Sequence, residues 1–93
     1  MIIKIAIIED NAEFLASFKS SISTADDLLL QSVATDCASA ENMLKGTPAD
    51  VLLVDLGLPD GNGLALIEHA TKCWPDCDIM VVTVFGNQQN VLS

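Results

Sequence analysis

The sequence predicts an α/β fold in which an open parallel β-sheet is flanked by helices. Four apolar runs alternate with three segments whose apolar residues recur at helical spacing. The chain has 93 residues and is 51% hydrophobic, which is enough for one small domain with a buried core. Strand–helix–strand alternation implies parallel strands joined by right-handed crossovers.

The first strand and the first helix follow directly from this alternation. Residues 2–8 form a nearly continuous apolar run with several isoleucines, which is typical of a buried strand. Phe14, Phe18 and Ile22 then recur every four residues, which is the spacing of one helix face. The change of period after residue 8 therefore predicts a strand followed by a helix.

Polar residues at the start of this helix are candidates for its N-cap. Asp10 and Asn11 both have side chains that accept hydrogen bonds from the first helical turn. Glu13 follows Asp10 by three residues, which is the spacing of a capping box. Either cap is compatible with the sequence.

Residues 28–35 form the second apolar run, and it is less uniform than the first. Gln31, Ser32 and Thr35 interrupt it. A strand with polar residues on it is expected at the edge of a sheet rather than at its centre.

The remaining elements complete the alternation. They are a helix over 38–45, a strand over 50–55, a helix face marked by Leu64, Ile67, Thr71 and Trp74, and a strand over 79–85. Gly46 and Pro48 end the second helix, and Pro75 ends the third. Residues 58–63, LPDGNG, form a loop between the third strand and the third helix.

Charge and hydropathy exclude several classes of protein. The net charge is −9, from 13 acidic residues against four lysines, so no basic patch for nucleic acid can be built from this chain. The apolar runs are too short to span a membrane. The N-terminal run is interrupted by Lys4 and lacks a cleavage site, so it is not a signal peptide. Three cysteines argue against a disulfide framework, and a cytoplasmic protein is expected.

Three carboxylates and a hydroxyl lie at the predicted strand ends. Glu9 and Asp10 follow the first strand, Asp55 follows the third, and Thr83 belongs to the end of the fourth. The carboxyl ends of parallel strands share one edge of the sheet, so these side chains are expected to converge. Closely spaced carboxylates repel each other, and a Mg²⁺ ion relieves that repulsion. The carbonyl of Gly57 is a candidate further ligand.

Such a site suits phosphoryl chemistry. The Asp55 carboxylate can act as a nucleophile toward phosphorus, and a bound cation would neutralise phosphoryl oxygens. Thr83 could donate its hydroxyl to one of those oxygens, and the N–H groups of Leu56 and Val84 could reach others.

The chain resembles the receiver domain of bacterial two-component response regulators over its whole length. The motif residues that carry the resemblance are Glu9, Asp10, Asp55, Pro59, Gly63 and Thr83. The resemblance implies a flavodoxin-like fold with strand order 2-1-3-4-5. It also implies that Asp55 accepts a phosphoryl group from a histidine kinase, that Glu9 and Asp10 hold Mg²⁺, and that Thr83 is the switch hydroxyl. Glu9 stands where many receivers carry Asp, which lengthens one ligand arm.

The C-terminal residues extend the resemblance and also limit it. Residues 81–93 look most like receivers joined to helix-turn-helix transcription regulators, which implies a role in transcription for the full-length protein. The family pattern continues with a lysine, a fifth strand and a last helix, so residues 1–93 are expected to be a receiver domain that lacks its C-terminal portion. A bare fourth strand would then favour a homodimer through that strand or the residues after it.

Two other functions are compatible with the same acidic residues. One is a magnesium-dependent phosphatase or phosphotransferase with an aspartyl nucleophile. Haloacid-dehalogenase-like enzymes of that kind carry an acid two residues after the nucleophile, where this chain has Gly57. The other is an interaction module that no longer takes phosphate. The expected function is therefore a signalling domain and not an enzyme.

Overall fold

A computed structural model describes residues 1–82 of the chain. In chain order its elements are β1 (Ile3–Ile8), α1 (Ala12–Ser23), β2 (Leu28–Ala34), α2 (Cys37–Leu44), β3 (Val51–Val54), α3 (Gly63–Cys73) and β4 (Asp78–Val81). The predicted alternation is confirmed. The predicted fourth strand, 79–85, extends past the described residues, which end one residue after β4.

The four strands form one parallel sheet with the order β2-β1-β3-β4. The strand β1 pairs with β2 on one side and with β3 on the other, and its residues from Ile5 to Ile8 are all buried. The strand β2 is only partly buried and lies at the edge of the sheet, as its polar residues predict. The order agrees with the first four strands of the flavodoxin-like arrangement.

The core consists of two clusters, one on each face of the sheet. Alternate residues of a strand point to opposite faces, so Ala6 and Ile8 join one cluster while Ile5 and Ile7 join the other. The first cluster includes buried residues of α2 and α3, and the second includes those of α1. A strand that supplies both clusters must be apolar where it is buried, which explains the uninterrupted apolar stretch from Ile5 to Ile8 in β1.

The N-cap of α1 is Asn11, whose Oδ1 accepts a hydrogen bond of 3.0 Å from the Phe14 N–H. The capping box expected from Asp10 and Glu13 is therefore wrong. With Asn11 as the cap, Glu13 stands at the second helical position and not the third, where a capping-box side chain reaches back to the cap.

The other two helices begin and end at recognisable residues. A capping box does occur in α2, where Asp36 and Ser39 satisfy each other's backbone N–H groups. The helix face predicted for α3 is only partly right: Trp74, just after the helix, is 1% exposed, but Leu64 and Thr71 are exposed. The buried residues of α3 are Gly63, Leu66 and Ala70. None of the described helices is long and apolar enough to cross a membrane.

Candidate functional site

The register of the sheet brings two carboxylates side by side. Ile8 pairs with Val54, so the next residues, Glu9 and Asp55, leave neighbouring strands at the same level. The Asp55 N–H donates to the Ile8 carbonyl over 2.9 Å, and the Glu9 N–H donates to the Ala34 carbonyl of β2 over the same distance. These backbone hydrogen bonds therefore fix the positions of both acidic residues independently of any side-chain contact.

Glu9, Asp10 and Asp55 form a cluster at this edge. Each offers one carboxylate oxygen, and these three atoms lie within 4.8 Å of one another. Glu9 and Asp55 are buried, whereas Asp10 is exposed. They line a cleft of about 530 Å³ together with Asn11, Ala12, Glu13 and Gly57. The convergence predicted for the three carboxylates is confirmed, and Glu13 is a fourth acidic residue of the cleft that the strand-end argument did not find.

Glu9 shows that the cluster suits a cation. It is 1% exposed, and its Oε2 accepts a hydrogen bond of 3.1 Å from the Asn11 N–H. Its Oε1 is buried and accepts no hydrogen bond from the described residues. Burial raises the pKa of Glu9 from 4.5 to about 7; the Asn11 hydrogen bond opposes this, and nearby Asp55 adds to it. A buried oxygen without a partner is costly, and a bound divalent cation would supply that partner.

Asp55 is held by its own loop. Its Oδ1 accepts a hydrogen bond of 3.0 Å from the Gly57 N–H, and the side chain is buried against the cleft. Gly57 is exposed and lines the cleft, which is where a ligand carbonyl would have to be. The role of its carbonyl as a metal ligand stays a prediction.

Gly63 sets the distance between α3 and the residues that follow β3. A Cβ at this position would lie 2.7 Å from the Leu56 Cα and 3.0 Å from the Asp55 carbonyl oxygen. Real side chains do not tolerate such contacts, so only glycine lets α3 begin this close to Asp55. Asn62 caps the helix by accepting a hydrogen bond of 2.8 Å from the Leu64 N–H. Gly63 is one of the motif residues of the resemblance, and this close approach is the physical reason for a glycine at that position.

Two predicted members of the site lie beyond the described residues. Val82, the last described residue, donates to the Val54 carbonyl over 2.8 Å and continues the alignment of β4 with β3. Thr83 and Val84 follow it, so their predicted contacts with phosphoryl oxygens lie outside the part of the chain that the structure describes. All four lysines belong to the described residues, and none of them lines the cleft.

Comparisons with a family model and with individual proteins agree on the family of this chain. The family model of the response regulator receiver domain matches residues 5–93. The chain is 28% identical to the uncharacterized transcriptional regulatory protein YhcZ of Bacillus subtilis and 28% identical to the oxygen regulatory protein NreC of Staphylococcus carnosus. It is 33% identical to the transcriptional regulatory protein CitT of B. subtilis. These matches cover 96%, 92% and 87% of this chain, which spans only 42%, 40% and 36% of the three relatives.

Solved structures share the fold. RcsB from Salmonella enterica serovar Typhimurium, bound to promoter rprA in the presence of the phosphomimetic BeF3⁻, matches with a TM-score of 0.82 and 23% identity, covering 98% of this chain and 52% of that one. A CheY-like receiver domain protein from Methanospirillum hungatei matches with a TM-score of 0.80 and 23% identity, covering 99% and 72%. At these identities the likeness is one of fold.

The raised pKa of Glu9 predicts how stability depends on pH when no divalent cation is present. Between pH 4.5 and about 7 the folded chain keeps a proton on Glu9 that the unfolded chain has lost. Glu9 therefore contributes a fall in the free energy of unfolding as pH rises through this range. Urea unfolding in EDTA, followed by Trp74 fluorescence at several pH values, should show that Glu9→Gln removes this contribution.

Glu13→Gln is the matched control, because Glu13 is an exposed carboxylate of the same cleft. It should keep the pH dependence of the wild type. If the wild type and Glu9→Gln depend on pH equally, Glu9 does not titrate in this range.

Proposed function

Because this chain belongs to the response regulator receiver domain family, we propose that it is a phosphoacceptor signalling domain in which Asp55 accepts a phosphoryl group from a histidine kinase. One observation carries the proposal. Asp55 lies at the carboxyl end of an inner strand, in an acidic cluster that lines an open cleft. A nucleophilic carboxylate beside a cation-binding set is what phosphoryl transfer requires.

The transfer uses few protein groups. An Asp55 carboxylate oxygen attacks phosphorus, the new O–P bond forms, and the P–N bond of the donor phosphohistidine breaks with its electron pair left on the imidazole nitrogen. The Gly57 N–H holds Oδ1 of Asp55 and so orients the carboxylate. Thr83 is proposed to donate its hydroxyl to the transferred group.

Glu9, Asp10 and Asp55 would hold a Mg²⁺ ion, with the Gly57 carbonyl as a further proposed ligand. The unpartnered Glu9 Oε1 and the spacing of the three carboxylates support this assignment. Bound there, the ion would neutralise charge between the carboxylates and an incoming phosphoryl group.

The rest of the proposal concerns the full-length protein. The chain spans about two fifths of the relatives it matches, two of which are named as transcriptional regulatory proteins. We propose that the full-length protein regulates transcription and that this domain signals rather than catalyses turnover. Phosphatases with an aspartyl nucleophile carry an acidic residue at the position where this chain has Gly57. This difference argues against the alternative of a magnesium-dependent phosphatase. Three free cysteines suit a cytoplasmic location, which is part of the same proposal.

A second copy of the chain is a further proposed partner. Within residues 1–82, β4 is the last strand of the sheet, and Met80 and Val81 on it are 57% and 45% exposed. An exposed apolar edge favours pairing with another strand. RcsB, which shares the fold, forms two dimers bound to two parallel DNAs in one solved structure.

Mg²⁺ should bind to the acidic cluster and raise stability by mass action. Asp10→Ala removes one ligand and should weaken Mg²⁺ binding at least about tenfold. Glu13→Ala removes a carboxylate of the same cleft that is outside the cluster, so it should weaken binding only about twofold. Titration calorimetry measures both, and equal losses would contradict the assignment.

Phosphorylation should occur on Asp55. Incubation with Mg²⁺ and acetyl phosphate should add the mass of one phosphoryl group to the wild type and to Asp26→Asn, but not to Asp55→Asn. Asp26 is an exposed aspartate outside the cleft, so its variant controls for charge. Multiple-turnover release of phosphate would favour the phosphatase alternative. The absence of any gain in mass would favour the interaction module.

Self-association should depend on the exposed edge of β4. Sedimentation should show a dimer at high protein concentration, and Met80→Lys should shift the chain toward the monomer. Leu29→Lys places the same charge on an exposed residue of β2, at the opposite edge, and should leave the dimer intact. A wild-type monomer at all concentrations would overturn this part of the proposal.

A further inference from the structure

The loop after Asp55 makes a contact that the sequence does not indicate. Asp60 lies in this loop, and its carboxylate accepts hydrogen bonds from the first residues of α2. The Cys37 N–H donates to Oδ1 over 2.7 Å, and the Ala38 N–H donates to Oδ2 over 3.3 Å. The hydrogen bond from the Cys37 N–H is the main cause that lowers the pKa of Asp60 below its usual value.

A complete count of donors shows how much α2 relies on this contact. The first four N–H groups of a helix have no partner within their own helical turns. Asp60 satisfies Cys37 and Ala38, while the Asp36 side chain accepts from the Ser39 N–H over 2.7 Å. The remaining one of the four is the N–H of the cap residue Asp36, which donates to the Ser39 Oγ over 3.3 Å. Two of the four donors therefore depend on a residue 22 to 23 positions away.

The neighbouring residues of the loop are fixed as well. A Cβ on Gly61 would lie 2.6 Å from the Cys37 Sγ, so Gly61 packs directly against the start of α2. Leu58 is 7% exposed and belongs to the core cluster that α2 and α3 share. Residues 56–62, which we name the acceptor loop, thus touch α2 through Asp60 and Gly61 and the core through Leu58.

We propose that Asp60 is a positioning residue for phosphoryl transfer: by capping α2 it holds the acceptor loop, and with it Gly57, in place beside Asp55. The role rests on the proposed function of Asp55. The alternative is that burial of Leu58 alone fixes the loop and that Asp60 serves only the stability of α2. The two explanations differ in what the loss of Asp60 does to the acidic cluster.

Asp36→Ala provides the matched control for Asp60→Ala. Both variants remove one carboxylate that caps the same helix, so both should lower the thermal stability of the chain. Only Asp60 belongs to the acceptor loop. Asp60→Asn keeps a side-chain oxygen that can accept a hydrogen bond, and it should restore part of what Asp60→Ala loses.

The first readout is Mg²⁺ affinity by titration calorimetry, with the phosphorylation rate from acetyl phosphate measured at saturating Mg²⁺. Asp60→Ala should weaken Mg²⁺ binding about fivefold and slow phosphorylation by a similar factor. Asp36→Ala should change both by less than about twofold, because its effect stays within α2. Equal losses in the two variants, or no loss in either, would overturn the proposal.

A second readout does not depend on phosphorylation. The Gly57 N–H donates to Asp55, so its hydrogen exchange, measured by NMR, reports on the position of the loop. It should accelerate in Asp60→Ala relative to Asp36→Ala under conditions of equal global stability. If the wild type takes no phosphoryl group but this difference is found, the proposed function fails while Asp60 still positions the loop. Equal exchange would refute the positioning role even if Asp55 is phosphorylated.

Discussion

The candidate site depends on the register of β1 against β3, which forces two buried carboxylates together. The pairing of Ile8 with Val54 makes Glu9 and Asp55 neighbours, and backbone hydrogen bonds on both residues leave them little freedom to move apart. Burial and mutual repulsion both disfavour two ionised groups in this position. Burial first, and Asp55 in addition, raises the pKa of Glu9 to about 7, so without a cation Glu9 keeps its proton in mildly acidic solution.

The central position of β1 in the sheet explains why the strand is apolar up to its end. A parallel strand at the centre of a sheet contributes to the cores on both faces, so β1 has no polar residue between Ile5 and its end. The acidic residue Glu9 can follow this run only because the strand ends there, at the edge of the sheet that borders the cleft. The central position of β1 thus accounts both for its apolar residues and for the acidic residue that follows them.

The sequence predicted the features that depend on local pattern. Strand and helix types, the edge position of β2 and the meeting of Glu9, Asp10 and Asp55 all follow from periodicity and from the geometry of parallel sheets. The sequence offered Asp10 and Asn11 as caps of α1; Asn11 is the cap, and the capping box based on Asp10 does not form. The contact between Asp60 and α2 was not predictable, because no local pattern links residues 22 or 23 positions apart.

Among the described residues, long-range contacts link the surroundings of Asp55 to two helices. The acceptor loop reaches α2 through Asp60, and Gly63 packs the start of α3 against the backbone of Asp55 and Leu56. Both helices contribute to the same core cluster on one face of the sheet, whereas α1 packs on the other face. A new charge or bond at Asp55 that moved the loop would strain contacts on the α2–α3 face first. If Asp55 is phosphorylated as proposed, we therefore expect any resulting shift of the acceptor loop to act through the contacts on this face.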